Sequence, residues 1–157
     1  MTNRLRRTIL KGSGAAGTLA VAAAAGLLRP AAVLAAEWNK PAFESKSVDE
    51  ALKGLGASGL AESGDIQIKA PEIAENGAVV PIEIISRIAG TSRIAVIAEK
   101  NPTPLAAEFD LPSGTEGYVS FRIKMGQTSN VRVVVAANGK FYTAAKEVKV
   151  TLGGCGG

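Results

Sequence analysis

The chain is 157 residues long, carries a formal net charge of +4, and contains no histidine and one cysteine, Cys155. That inventory leaves no ligand set for a metal or haem cofactor, no partner for an intrachain disulfide, and no imidazole for acid–base catalysis. The basic excess is crowded at one end, so the overall charge is no argument for a nucleic-acid surface.

Arg4, Arg6, Arg7 and Lys11 open the chain. A weakly apolar run over 12–28 follows, then Arg29-Pro30 and the small-residue stretch Val33-Leu34-Ala35-Ala36. A basic, then apolar, then small-residue order is that of a secretory signal, here 1–35, cleaved after Ala35 or alternatively after Ala36. Arg6-Arg7-Thr8-Ile9-Leu10-Lys11 has the order of the twin-arginine export motif, which predicts a periplasmic protein. The apolar run is short of the roughly 20 residues that span a bilayer, so no membrane attachment is expected once the signal is removed. Removal takes away five of the 18 basic residues and none of the 14 acidic ones, leaving 13 against 14 and a net charge of −1. Nucleic-acid binding is therefore not expected. The twin-arginine route exports folded cargo, and with no cofactor to load, a partner subunit that lacks its own signal is the better reason for using it.

About 122 residues remain, enough for one domain over 36–152 with a single core. Ser47-Val48-Asp49-Glu50 reads as a capping box, with Ser47 as N-cap and Glu50 three residues on. Val48, Ala51, Leu52 and Leu55 follow at helical spacing, and Gly54, Gly56 and Gly59 end a short helix. From Asp65 the period becomes two, and strands are predicted near 65–70, 79–86, 93–99, 105–109, 118–124, 130–137 and 141–152. Ile66 and Ile68, then Val119, Phe121 and Ile123, then Val148, Val150 and Leu152 alternate with polar neighbours. Turn signals lie between the strands at Asn76-Gly77, Gly90-Thr91, Asn101-Pro102, Pro112-Ser113-Gly114 and Asn138-Gly139. The last predicts a type I′ hairpin. Pro81 places its strand at an edge or a bulge. The fold class is all-β, an immunoglobulin-like sandwich of about seven strands with a short amino-terminal helix and no intersheet disulfide.

Three segments are apolar on both faces: 79–85, 94–97 and 131–136. One face lines the sandwich core. The second is covered either by the amino-terminal segment or, in part, by a partner subunit, and the export route favours the partner. Trp38 and Phe43 are expected to pin the amino-terminal segment in either case.

The chain closes on Gly153-Gly154-Cys155-Gly156-Gly157. Glycine has no Cβ, so 153–157 reads as a flexible tether presenting one thiol beyond the last strand. Three extended residues beyond Leu152 give Cys155 a reach of roughly 10 Å. No cation stands near it in sequence, and a thiol with an ordinary pKa of about 8.5 is mostly protonated at neutral pH. Such a group is a weak catalyst and a serviceable attachment point. Cys155 is thus the candidate site for covalent substrate attachment, with Gly153, Gly154, Gly156 and Gly157 as its arm. The competing reading is an exported structural or binding module whose tail cysteine makes only intersubunit disulfides.

A twin-arginine signal, an all-β domain and a terminal Gly-Gly-Cys-Gly-Gly together resemble the SoxY family, the sulfur carriers of the thiosulfate-oxidising Sox pathway. The resemblance covers the whole chain, and the tail motif is its most specific part. It implies a covalent carrier without catalytic activity of its own and without a cofactor. Cys155 would hold the sulfur intermediate, and Gly153, Gly154, Gly156 and Gly157 would form a swinging arm. It further implies a heterodimer with SoxZ and transient docking to SoxAX, to SoxB and, where present, to SoxCD. SoxAX would join thiosulfate oxidatively to the thiol, SoxB would hydrolyse off sulfate, and SoxCD would oxidise the remaining sulfane sulfur.

Overall fold

The structure, a computed structural model, describes residues 38–151. The predicted signal over 1–35 and the tail over 153–157 lie outside these residues. Among the described residues, those from Asn39 onward form one compact unit. Its elements in order are α1 (Lys40–Phe43), α2 (Val48–Gly54), β1 (Ala61–Glu62), β2 (Ile66–Lys69), β3 (Ile73–Ala74), β4 (Val80–Ser86), β5 (Thr91–Ala98), β6 (Leu105–Asp110), β7 (Tyr118–Ile123), β8 (Ser129–Ala137) and β9 (Lys140–Val150). Among the described residues, no helix is long and apolar enough to cross a membrane.

The strands make two sheets. The larger runs β1-β9-β8-β5-β6, with β3 also pairing β9, and the smaller runs β2-β4-β7. Pairing is antiparallel except where β1 and β3 meet β9. The fold is an all-β, immunoglobulin-like sandwich, as the alternation predicts. All seven predicted strands are present, and the two additional strands are two residues long.

The core follows directly from the period of two. Val80, Ile82 and Ile84 of β4 point inward and meet Ile94 and Val96 of β5, Val131, Val133 and Val135 of β8, and Val148 of β9. Each such side chain contributes about 1.5–3 kcal/mol by leaving water. In between, Ala95 and Ile97 of β5 and Val134 of β8 are buried too. They pack with Ala42, Ala51, Leu55 and Leu105 in a second cluster under the helices. Of the two expected covers for the second face of β5 and β8, the chain's own amino-terminal helices are the one that packs on these residues. Phe43 packs against this cluster, whereas Trp38 is exposed.

Local chemistry sets the helices. Ser47 Oγ accepts the Glu50 amide at 3.2 Å, and Glu50 Oε2 accepts the Lys46 amide at 2.8 Å, so the predicted capping box forms with its second bond one residue early. The helix ends at Gly54, and the chain turns away at Gly56, whose φ is +67°. There the Ala57 amide reaches Leu52 O and the Gly56 amide reaches Lys53 O, the paired bonds of a Schellman ending. Gly54, expected to help end the helix, is its last residue. A Cβ there would come within 2.6 Å of Ala42 Cα, so the residue lets α1 and α2 touch. Asn39 Nδ2 donates to Gly54 O at 3.1 Å and to Glu108 Oε2 at 3.2 Å, tying both helices to β6.

The turns behave as their residues require. Asn138 and Gly139 have φ of +51° and +73°, and Ala137 pairs Lys140 across them, giving the two-residue hairpin. Pro81 sits in β4, the middle strand of the smaller sheet. Its position still lacks a neighbour on one flank, because β2 pairs β4 only from Glu83 to Ser86 while β7 pairs it from Val80 to Ile85. A missing N–H is tolerated there for the same reason as at a sheet edge.

Candidate functional site

Cys155 and its flanking Gly153, Gly154, Gly156 and Gly157 lie outside the described residues, but the base from which they extend is described. β9 is the longest strand and pairs β8 along nine consecutive positions. At its end β3 joins from the other side, with Ile73 opposite Lys149 and Ala74 opposite Val150. The Lys149 amide donates to Glu72 O at 2.9 Å and the Thr151 amide to Ala74 O at 3.1 Å. On the β8 side, the Val150 amide donates to Thr128 Oγ1 at 3.0 Å. Gly77 closes over the same point, and a Cβ on it would strike Met125 O at 2.4 Å and a Val150 methyl at 2.8 Å. The last described residues are thus gripped on both flanks, and whatever follows Thr151 starts from a fixed post.

That post stands at one end of the sandwich. β9 ends there beside the start of β8, and the end of β5 and the start of β6 lie at the same end by their registers; the end of β7 is brought to it by hydrogen bonds between loops. The 99–104 and 124–128 loops are stitched together there. Asn101 Nδ2 donates to Lys124 O at 2.7 Å, Asn101 Oδ1 accepts the Gly126 amide at 3.1 Å, and Gln127 Nε2 donates to Lys100 O at 3.2 Å. Between the stitched loops and the β6–β7 seam lies an open cleft of about 510 Å³, lined by Pro102, Leu105, Ala106, Arg122, Ile123 and Lys124 among others. Leu105 and Ile123 give it a buried apolar floor. Arg122 and Lys124 are exposed, and neither makes an ion pair among the described residues. Two exposed β-branched side chains flank the post: Ile73 is 56% and Val79 49% exposed.

The stitching residues were not singled out from sequence. Asn101 reads as half of an Asn-Pro turn, which it is, but its role in joining two loops is a tertiary one. Thr128 carries no local signal at all. Among the described residues, no three of His, Cys, Asp and Glu are grouped so as to hold a metal ion.

A family model, the sulfur oxidation protein SoxY, matches residues 52–155. The chain belongs to the SoxY family. The matched span begins in α2, takes in every strand and runs to Cys155. Among solved structures, the chain is similar to the sulfur carrier protein SoxY from Chlorobium limicola f thiosulfatophilum, at 44% identity with a TM-score of 0.60. The likeness covers 66% of this chain and 94% of that one. No curated protein matches the chain.

Proposed function

We propose that this SoxY-family chain is a periplasmic sulfur carrier that holds thiosulfate-derived intermediates on Cys155 and performs no catalysis of its own. The observation that carries this reading is the family match itself, which extends through the post and as far as the thiol. The solved relative is described as a sulfur carrier protein, and the two chains share the domain that supports the tail. Arg6-Arg7 and the small residues before Ala36 support export by the twin-arginine route, with 1–35 removed.

The chemistry asks little of the carrier beyond one sulfur on a short glycine arm. Joining thiosulfate to the thiol gives a cysteine S-thiosulfonate with loss of one proton and two electrons, which a haem enzyme of the SoxAX type takes up. Hydrolysis of that adduct by a SoxB-type enzyme adds water, releases sulfate and leaves a persulfide on Cys155. A SoxCD-type dehydrogenase, where present, oxidises the persulfide sulfur before a final hydrolysis restores the thiol. Gly153, Gly154, Gly156 and Gly157 bear no Cβ and suit passage through channels too narrow for side chains. Tethering keeps a reactive anion at high local concentration for each enzyme in turn. SoxZ is the proposed stable partner, carried through the export route with this chain.

Cys155→Ser tests the reading. Thiosulfate-dependent turnover in the reconstituted pathway should vanish while the fold, read by circular dichroism, is unchanged. Full turnover by the variant would refute the carrier function. If the tail made only structural disulfides, reduction would abolish activity; for a carrier, reduction restores it.

A further inference from the structure

Cleavage after Ala35 leaves only Ala36, Glu37 and Trp38 ahead of Asn39, and cleavage after Ala36 leaves one residue fewer. Among the described residues the compact unit begins at Asn39, and that residue is anchored at once. Its Nδ2 donates to Gly54 O at 3.1 Å and to Glu108 Oε2 at 3.2 Å, while its carbonyl accepts the Ala42 and Phe43 amides, each at 3.1 Å. Glu108 is fixed in turn, because its Oε1 pairs with Arg93 Nη1 at 3.2 Å. We propose that α1 is a latch on signal removal: the signal peptidase cuts only while residues 39–44 are lifted off β6 and α2, and the Asn39–Glu108 bond is the catch. This inference rests on the export reading.

The route of export makes the latch matter. A chain threaded across the membrane unfolded meets the peptidase before its domain forms, whereas twin-arginine cargo arrives folded, with α1 already docked. A protease hydrolyses extended chain drawn into its cleft. Here water adds across the Ala35–Ala36 bond, leaving a carboxylate on Ala35 and an amine on Ala36. The three residues that follow span at most about 10 Å, so a docked Asn39 keeps the folded body within that distance of the bond being cut. Lifting α1 asks far less than opening the sandwich. The helix is four residues long, Ala42 is its one buried residue, and Phe43 is half-buried. Opposite Ala42, Gly54 has no side chain to lose contact with. α2 keeps its own N-cap bond and its own anchors, Ala51 and the following Leu55, and stays in place. Thinly buried segments of this kind open locally without global unfolding. When opening is fast, cleavage follows the open fraction, so α1 sets the pace of signal removal.

The test uses the full 157-residue precursor, purified folded in detergent, and a bacterial membrane signal peptidase. Glu108→Ala removes the catch from β6, far along the chain from the bond, so a change in rate comes through the fold and not through the peptidase's own contacts. Cleavage should run about tenfold faster than in wild type, as loss of a hydrogen bond to a charged group predicts. Gly54→Ala, whose Cβ would lie 2.6 Å from Ala42 Cα, should act in the same direction. Inserting Gly-Ser-Gly-Ser between Glu37 and Trp38 should bring all three precursors to one fast rate. In the mature chain, the Ala42 and Phe43 amides should exchange with solvent faster in Glu108→Ala while the strand amides keep their protection, which reports a folded variant with α1 alone released. The insertion touches no residue of the domain, so it decides the matter even where Glu108→Ala loosens the sandwich. Equal cleavage of wild type and the insertion precursor would overturn the latch. So would a Glu108→Ala acceleration that persists with the insertion, since the spacer leaves α1 nothing to obstruct. Prompt cleavage that ignores all of these changes refutes the latch alone. No cleavage after Ala35 or Ala36, even in the insertion precursor, refutes the signal reading and the latch with it.

Discussion

Gly54 and Gly139 lack side chains for different physical reasons, and alanine separates them. At Gly54 the constraint is space, since an added Cβ would sit 2.6 Å from Ala42 Cα and push α1 off α2. Gly54→Ala should lower unfolding free energy by about 1–3 kcal/mol, as overpacking does elsewhere. At Gly139 there is open space and the constraint is the backbone, held at φ +73°. Gly139→Ala should cost about 1–2 kcal/mol. Urea denaturation checks both. An unchanged midpoint for Gly54→Ala would contradict the close contact of the two helices. The same pair shows what local sequence conveys. Asn138-Gly139 announces its turn because the residues that need positive φ are adjacent. Gly54 reads as a helix stop and does close α2, but the contact that requires a glycine there, Ala42, lies in a different helix.

At the scale of elements, β5 and β8 decide the architecture by being apolar on both faces. Their alternate residues, Ile94 and Val96 against Ala95 and Ile97, go to two different clusters. Burial on both faces was legible as an uninterrupted apolar run, but what covers the second face was not. Ala51 and Leu55 read as one face of a short helix, but no local signal says which sheet face that helix and Ala42 lie on. Likewise β1 and β3 are two-residue strands that exist only because β9 offers its edges. The arm belongs to this scale too. If free rotation at the glycines delivers the thiol, replacing both Gly153 and Gly154 by proline should leave Cys155 open to iodoacetamide at close to the wild-type rate. Pathway turnover should fall by about tenfold or more, because small misplacements are costly in an enzyme site. Equal turnover would show that the arm's freedom is irrelevant.

For the molecule as a whole, the fold and the proposed site were unequally legible. The sandwich is written in alternation and turn residues, which act locally, so all seven long strands could be placed from sequence. The tail motif is equally local and points to Cys155 by composition alone. The end of the sandwich that carries the tail is different. Its post joins β3, Thr128 and Gly77 to β9, and its cleft joins the 99–104 and 124–128 loops to β6 and β7, all from separate parts of the chain. No periodicity marks such an assembly. The proposed division of labour is a sandwich that fixes one point and a glycine arm that starts there.

Intact-mass spectrometry of the mature chain, after incubation with thiosulfate and the partner enzymes, tests the carrier function most directly. The chain should gain the mass of one thiosulfate, the fragment spectrum should place it on Cys155, and SoxB-type hydrolysis should reduce the gain to a single sulfur. An unmodified chain recovered from a mixture that is turning over thiosulfate, or an adduct that survives in Cys155→Ser, would contradict it.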